Sequence, residues 1–120
     1  MKDEIKKFWK GDIEDSTEVL EKYSRDASLL QVFPILVVFP KNSEDIKALV
    51  KWAHENKEKY PKLALTPRAA GTCMAGGAIG ESIIIDFMRY MNKVERIERI
   101  PPFQIIPKYP NAHQVTITGV

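Results

Sequence analysis

With one cysteine, two histidines and no apolar run near membrane-spanning length, this 120-residue chain is short of the parts that several chemistries need. Cys73 alone excludes an intramolecular disulfide and any metal site built on several thiolates, and it fits a reducing compartment. His54 lies at the edge of a helix's apolar face, where it reads as a packed or surface residue, and His113 has no neighbouring acid or thiol; with the two far apart we assign no metal ligands and no catalytic residue. A transmembrane helix needs roughly 20 apolar residues. The N-terminal "MKDEIKKFWKGDIEDSTEVL" is broken by charges and lacks the continuous apolar core of a signal peptide. The expectation is a soluble, cytoplasmic chain without a transmembrane segment.

Charge of one sign is also scarce. Eighteen basic against sixteen acidic residues leave a net +2, too little to argue for nucleic acid as a partner. Residues 1–33 carry six basic and eight acidic groups, and residues 34–120 carry twelve and eight. The second part therefore leans towards an anionic ligand. The length suits one domain rather than two separate cores.

What is present reads as alternating helix and strand. In "DEIKKFWK", Ile5, Phe8 and Trp9 fall at i, i+3 and i+4, the spacing of one helical face, and Gly11 can end that turn. In "DSTEVLEKYS", Asp15 or Ser16 can cap a second helix whose apolar face is Val19, Leu20 and Tyr23. "FPILVVFP" is β-branched, bracketed by Pro34 and Pro40 and without polar alternation, which predicts a strand covered on both faces. "NSEDIKALVKWAHENKEK" follows as the clearest helix. Asn42 or Ser43 stands at its cap, Glu44 and Asp45 at the positive end, Lys57 and Lys59 at the negative end, and Ile46, Leu49, Val50 and Ala53 form its apolar stripe. "KLALTP", closed by Pro67, completes a strand, helix and strand of the length of a parallel βαβ unit. "SIIIDF", "VERIERI" and "QVTITGV" read as further strands. "PPFQIIPKYPNAH" holds four of the eight prolines and reads as an extended connection. The chain stops in or just after a strand, from which we expect a continuation. Phe8, Trp9 and Trp52 are expected in the core.

Four of the six glycines sit between Gly71 and Gly80, directly after the "KLALTP" strand. Glycine lets the main chain approach a phosphate where a Cβ would clash, and successive backbone N–H groups can form an anion-binding concavity. "GTCMAGGAIG" does not follow G-x-G-x-x-G, and no Gly-Lys-Ser/Thr ends it, so the two common nucleotide motifs are excluded. A plain tight turn needing positive φ explains the glycines equally well from the residues alone.

"YSRDASLLQVFP", "LVVFPKNSEDIKALVKWA" and "LTPRAAGTCMAGGAIGESIIIDFMRYMNKV", in that order, resemble the first half of the FAD-binding domain of the vanillyl-alcohol oxidase and p-cresol methylhydroxylase (PCMH) type. Within that type they look most like D-lactate dehydrogenase and glycolate oxidase-like flavoproteins. The resemblance runs from about Tyr23 to Val94. It implies an α+β fold: a small βαβ-containing subdomain preceded by short helices, with residues 1–33 as a helical lead-in and 34–120 as a partial FAD-binding domain. It also implies a loop that wraps the FAD pyrophosphate. Carried over by position, Ala69, Ala70, Gly71, Thr72 and Cys73 would contact the phosphates, with the Thr72 hydroxyl available. Gly76, Gly77 and Ala78 would line the next turn, and Arg68 matches the family's basic residue. Asp86 matches a family Asp, to which we assign a structural hydrogen bond because a charge there would repel phosphate.

Departures in the loop and in length qualify the resemblance. Ala69 and Ala70 replace two of the glycines common in family loops. Thr72 stands where covalent flavoproteins of this type carry the flavin-linked His, which implies non-covalent FAD. The second glycine-rich segment and the cap domain of such proteins have no counterpart in these 120 residues. The expectation is an FAD-binding fragment of an oxidoreductase for a small 2-hydroxy acid such as D-lactate or glycolate, incomplete and inactive alone. Its alternative is a non-catalytic module or split subunit that self-associates, or pairs with another chain, through unpaired strand edges.

Overall fold

The structure, a computed structural model, describes residues 1–99 and 115–119. Among these residues, three helices, α1 (Lys2–Ile5), α2 (Thr17–Tyr23) and α3 (Ser43–Glu55), accompany six strands. Strands β1 (Asp12–Glu14), β2 (Leu36–Phe39), β3 (Leu65–Arg68) and β4 (Ile83–Asp86) form one sheet in the order β1-β2-β4-β3. Strands β5 (Val94–Arg99) and β6 (Val115–Gly119) form a separate antiparallel pair. The expected extended connection, residues 101–113, lies outside the described residues.

The central strands explain why their sequences lack polar alternation. Side chains alternate across a strand, and here both faces are covered. Leu36, Val38, Ile83 and Ile85 point into one cluster with Ile5, Trp9, Leu49 and Leu63. Val37, Phe39 and Ile84 point into another with Tyr23, against which Val19 and Leu20 pack. The sheet is therefore the middle of three layers, between α1 and α3 on one side and α2 on the other. Full burial of each Leu, Ile or Val contributes about 1.5–3 kcal/mol, so β2 and β4 anchor the fold. Trp9, Phe8 and Trp52 join the core as expected, with the Phe8 and Trp52 rings 6.5 Å apart.

The expected parallel strand, helix and strand is present, with β4 inserted between β2 and β3 and paired in parallel with both. Other expectations are corrected. β3 runs through Pro67 to Arg68 instead of ending at the proline. It is an edge strand of that sheet, where a residue without an N–H is tolerated. "DIE" forms β1, antiparallel to β2, a strand within the expected helical lead-in. Gly11 precedes it, and a Cβ there would lie 1.8 Å from the Phe39 carbonyl oxygen. The last strand is not unpaired, since β6 pairs with β5.

Helix α3 is capped by Asn42, whose side chain accepts from the Asp45 N–H. Its buried face differs from the expected stripe: Val50 is exposed and Asp45 is buried. The Asp45 carboxylate accepts from Lys10 N–H at 3.2 Å and Lys41 N–H at 2.9 Å. It thus ties the ends of two loops to the helix rather than only complementing the helix dipole. Lys57 and Lys59 also find other partners than the helix end, the Leu63 carbonyl and Glu4 respectively.

Candidate functional site

The glycine-rich loop leaves the carboxyl end of β3, and the parallel strands β2, β3 and β4 all end on that side. In open α/β sheets this is where ligands bind. Arg68, Ala69, Ala70, Gly71, Thr72, Cys73, Gly77 and Ala78, together with Pro67, line a depression of about 250 Å³. Eight of the nine expected residues are thereby gathered, while Gly76 sits at the turn behind them. The volume falls below the ~300–1,000 Å³ of pockets that enclose a whole small ligand. It suits one part of a larger molecule.

The backbone explains the glycines. Gly71 has φ 70° and Gly76 has φ 78°, a region that L side chains rarely adopt. A Cβ on Gly71 would also lie 2.4 Å from an Arg68 guanidinium nitrogen. Among the described residues, the backbone N–H groups of residues 69–73 make no hydrogen bond. Further on, Gly77 N–H donates to Cys73 Sγ at 3.2 Å, and Ala78 N–H to Asp26 at 3.4 Å. Unengaged main-chain donors, those of residues 69–73, thus stand among the residues lining the depression, as a main-chain anion site requires.

Arg68 is braced rather than free. Its guanidinium donates to the Ala78 carbonyl at 3.1 Å and lies 5.0 Å above the Tyr23 ring. Tyr23 in turn donates its hydroxyl to Asp86 at 2.6 Å, and Asp86 accepts from Met88 N–H at 2.7 Å. Asp86 is buried and has the structural hydrogen-bonding role expected of it. Burial, then the hydrogen bond and charge of Asp86, push the Tyr23 hydroxyl pKa well above its ordinary value. His54 is exposed on α3, away from this constellation.

Asp26 and Ala27 are the functional neighbours that residue-by-residue reading missed. Ala27 N–H donates to the Gly71 carbonyl at 3.0 Å. Hydrogen bonding from Ser28 holds the Asp26 carboxyl below the usual range. The signal was visible in "YSRDAS", the segment that carried part of the family resemblance without a role attached.

A three-layer unit with a mixed central sheet, bearing a glycine-rich loop of free amides at the carboxyl ends of its parallel strands, defines a phosphate- or dinucleotide-binding α/β class. Residues 34–101 match the family of FAD binding domains. The chain belongs to that family. Its relatives include D-2-hydroxyglutarate dehydrogenase of Escherichia coli, 38% identical over 74 residues, which are 62% of this chain and 7% of that protein. The Haemophilus influenzae D-2-hydroxyglutarate dehydrogenase is 33% identical over 72% of this chain and 8% of its own length. A mitochondrial D-lactate dehydrogenase [cytochrome] of Kluyveromyces lactis is 29% identical over 55% of this chain and 11% of its own. The matches thus span about a tenth or less of these relatives. A solved alkyldihydroxyacetonephosphate synthase shares the fold with a TM-score of 0.66 at 24% identity, over 80% of this chain and 20% of that one.

FAD is the cofactor of this family, and the residues present fit its pyrophosphate: unengaged main-chain donors, two glycines whose positive φ disfavours a Cβ, and a concavity of partial size. Among the described residues, no helix is long and apolar enough to cross a membrane.

Proposed function

We propose that this chain supplies the pyrophosphate-binding part of the FAD site in a flavin-dependent dehydrogenase acting on a small 2-hydroxy acid. The carrying observation is the set of unengaged N–H groups at residues 69–73 around the depression after β3, in a chain of the FAD binding domain family. The substrate class is supported by relatives named for D-2-hydroxyglutarate and D-lactate. The cofactor-binding part begins at residue 34, and residues 1–33 lead into it while adding β1 to its sheet. Cytoplasmic residence is proposed from the single cysteine.

In this reading Ala69, Ala70, Gly71, Thr72 and Cys73 hold the diphosphate by main-chain N–H groups, and Thr72 adds its hydroxyl. Gly76, Gly77 and Ala78 shape the following turn. Arg68 braces the loop from below and contributes positive charge. Thr72 cannot form the imidazole link of covalent flavoproteins, so the cofactor is held non-covalently. Bound FAD supplies hydride acceptance from the substrate α-carbon. This chain's residues position it and contribute no acid or base.

Flavin-fluorescence titration with sedimentation tests the proposal. The expected result is weak FAD binding, no turnover of D-lactate or D-2-hydroxyglutarate by these 120 residues alone, and flavin released intact by acid precipitation. Micromolar binding by a monomer would overturn the claim that the site is incomplete.

A second reading, an interaction module completed by another chain, is favoured by Leu29, Leu30 and Met74. All three are exposed, Leu29 completely, and Leu30 lies close to Gly76. FAD-independent dimerisation in the same sedimentation runs would support it.

A further inference from the structure

Two stretches distant in sequence meet at the glycine-rich loop. The turn over residues 24–31 touches it at three places. Ala27 N–H donates to the Gly71 carbonyl at 3.0 Å, and Asp26 Oδ2 accepts from Ala78 N–H at 3.4 Å. Leu30 Cδ1 stands 2.8 Å from where a Cβ on Gly76 would be. These contacts fall on both positive-φ glycines and on the residue where the loop leaves the depression. The turn is also tied to itself. Ser28 N–H donates to Asp26 Oδ1 at 2.9 Å, Val32 N–H to the Ser24 carbonyl at 2.8 Å, and Gln31 Nε2 to Ser24 Oγ at 3.1 Å.

We propose that the 24–31 turn, with Asp26 as its positioning residue, sets the glycine-rich loop in its anion-binding shape before any ligand arrives. The proposal rests on the cofactor reading above. Glycine-rich backbone loses more conformational freedom on ordering than any other. A loop ordered during folding does not bear that cost again on binding, which raises affinity without adding a ligand contact. Asp26 does this with a carboxylate beside an anion site, where its charge opposes the ligand. Both its oxygens are engaged by N–H groups, one within the turn and one on the loop. Its geometric and electrostatic effects on anion binding therefore have opposite signs.

Asp26→Asn removes both at once, and the sign of the change shows which prevails. An Asn side chain keeps the local turn to Ser28 through its single oxygen and turns an NH₂ group towards Ala78. Loop positioning is lost and the negative charge is removed. Backbone ¹⁵N relaxation of the unliganded chain reads loop order. Amide shifts during titration with inorganic pyrophosphate, and separately FAD, read binding. Residues 76–78 are expected to fall from rigid order parameters of ~0.85 to below ~0.6, with β2 and β4 unchanged. Pyrophosphate binding should weaken roughly tenfold, as for loss of a charged hydrogen bond. Leu30→Ala, on an exposed side chain, should loosen Gly76 in the same way. Unchanged loop order in both variants, or tighter pyrophosphate binding by Asp26→Asn, overturns the proposal. If the wild-type amides at 69–73 shift with neither ligand, the cofactor reading fails, and the relaxation data alone decide whether the turn sets the loop.

Discussion

Tyr23 and Asp86, 63 positions apart, are joined by a hydrogen bond of 2.6 Å between the phenol and a carboxylate oxygen. Both residues are buried. The bond links the end of α2 to the end of β4, while Arg68 lies over the same tyrosine ring and reaches the glycine-rich loop. Helix, sheet and site are therefore braced through one side chain.

Tyr23→Phe removes the donor and leaves a buried carboxylate oxygen without its partner. The cost should be about 1–3 kcal/mol, read as a lower denaturant midpoint with an unchanged slope. Asp86 keeps the Met88 N–H, so the change should not abolish folding.

The same pair sets an alkaline limit. Burial and Asp86 raise the Tyr23 pKa in the folded state. That contribution is complete below the ordinary value of ~10 and is lost as pH rises towards the folded value. Denaturation at increasing pH above 10 should therefore erode the wild type more than Tyr23→Phe. In a spectrophotometric titration of the four tyrosines, Tyr90 should also ionise late, because its hydrogen bond to Asp12 raises it. The latest step should vanish in Tyr23→Phe.

Gly71→Ala places a Cβ at φ 70° and against the Arg68 guanidinium. A left-handed conformation costs an L residue roughly 1–2 kcal/mol, and the displaced arginine would disturb the loop. Gly80→Ala meets only the Thr66 side chain and has no positive φ. Gly71→Ala should lower stability more than Gly80→Ala, and it alone should remove the pyrophosphate-induced amide shifts of residues 69–73.

Asp45→Ala strips the acceptor from two backbone N–H groups, Lys10 and Lys41. Leaving them unsatisfied should cost about 2–4 kcal/mol. Asn42→Ala, which removes only the helix cap, should cost about 1 kcal/mol. Urea unfolding of the two variants side by side checks the order. Equal losses would show that Asp45 acts only through the helix end.

Much of the fold could be read from short-range patterns. The apolar runs around Val37 and Ile84 announced strands covered on both faces, and Asn42 announced the start of α3. Long-range pairing was harder to read. The placement of β4 between β2 and β3 depends on which apolar strand best fills the centre, which no local period encodes. The buried face of α3 differs from the apolar stripe because Asp45 gains backbone donors from Lys41 just before the helix and from Lys10, 35 positions away, while Val50 turns outward. β1 escaped notice because three residues with two carboxylates show no strand pattern. Its partner β2 supplies the ladder, and Arg89 pairs with both Asp12 and Glu14.

At the site the division is sharper. By itself the sequence determined where the loop lies, which residues lack a Cβ or carry only a small one, and, through ordered segments resembling one family, that FAD is the cofactor. These depend on residue identity and chain order. Only the tertiary structure decided that Arg68 braces the loop, that Asp86 serves Tyr23, and that Asp26 and Ala27 grip Ala78 and Gly71. Such contacts join residues up to 63 apart. They follow from packing three layers around a sheet whose strand order local sequence does not specify.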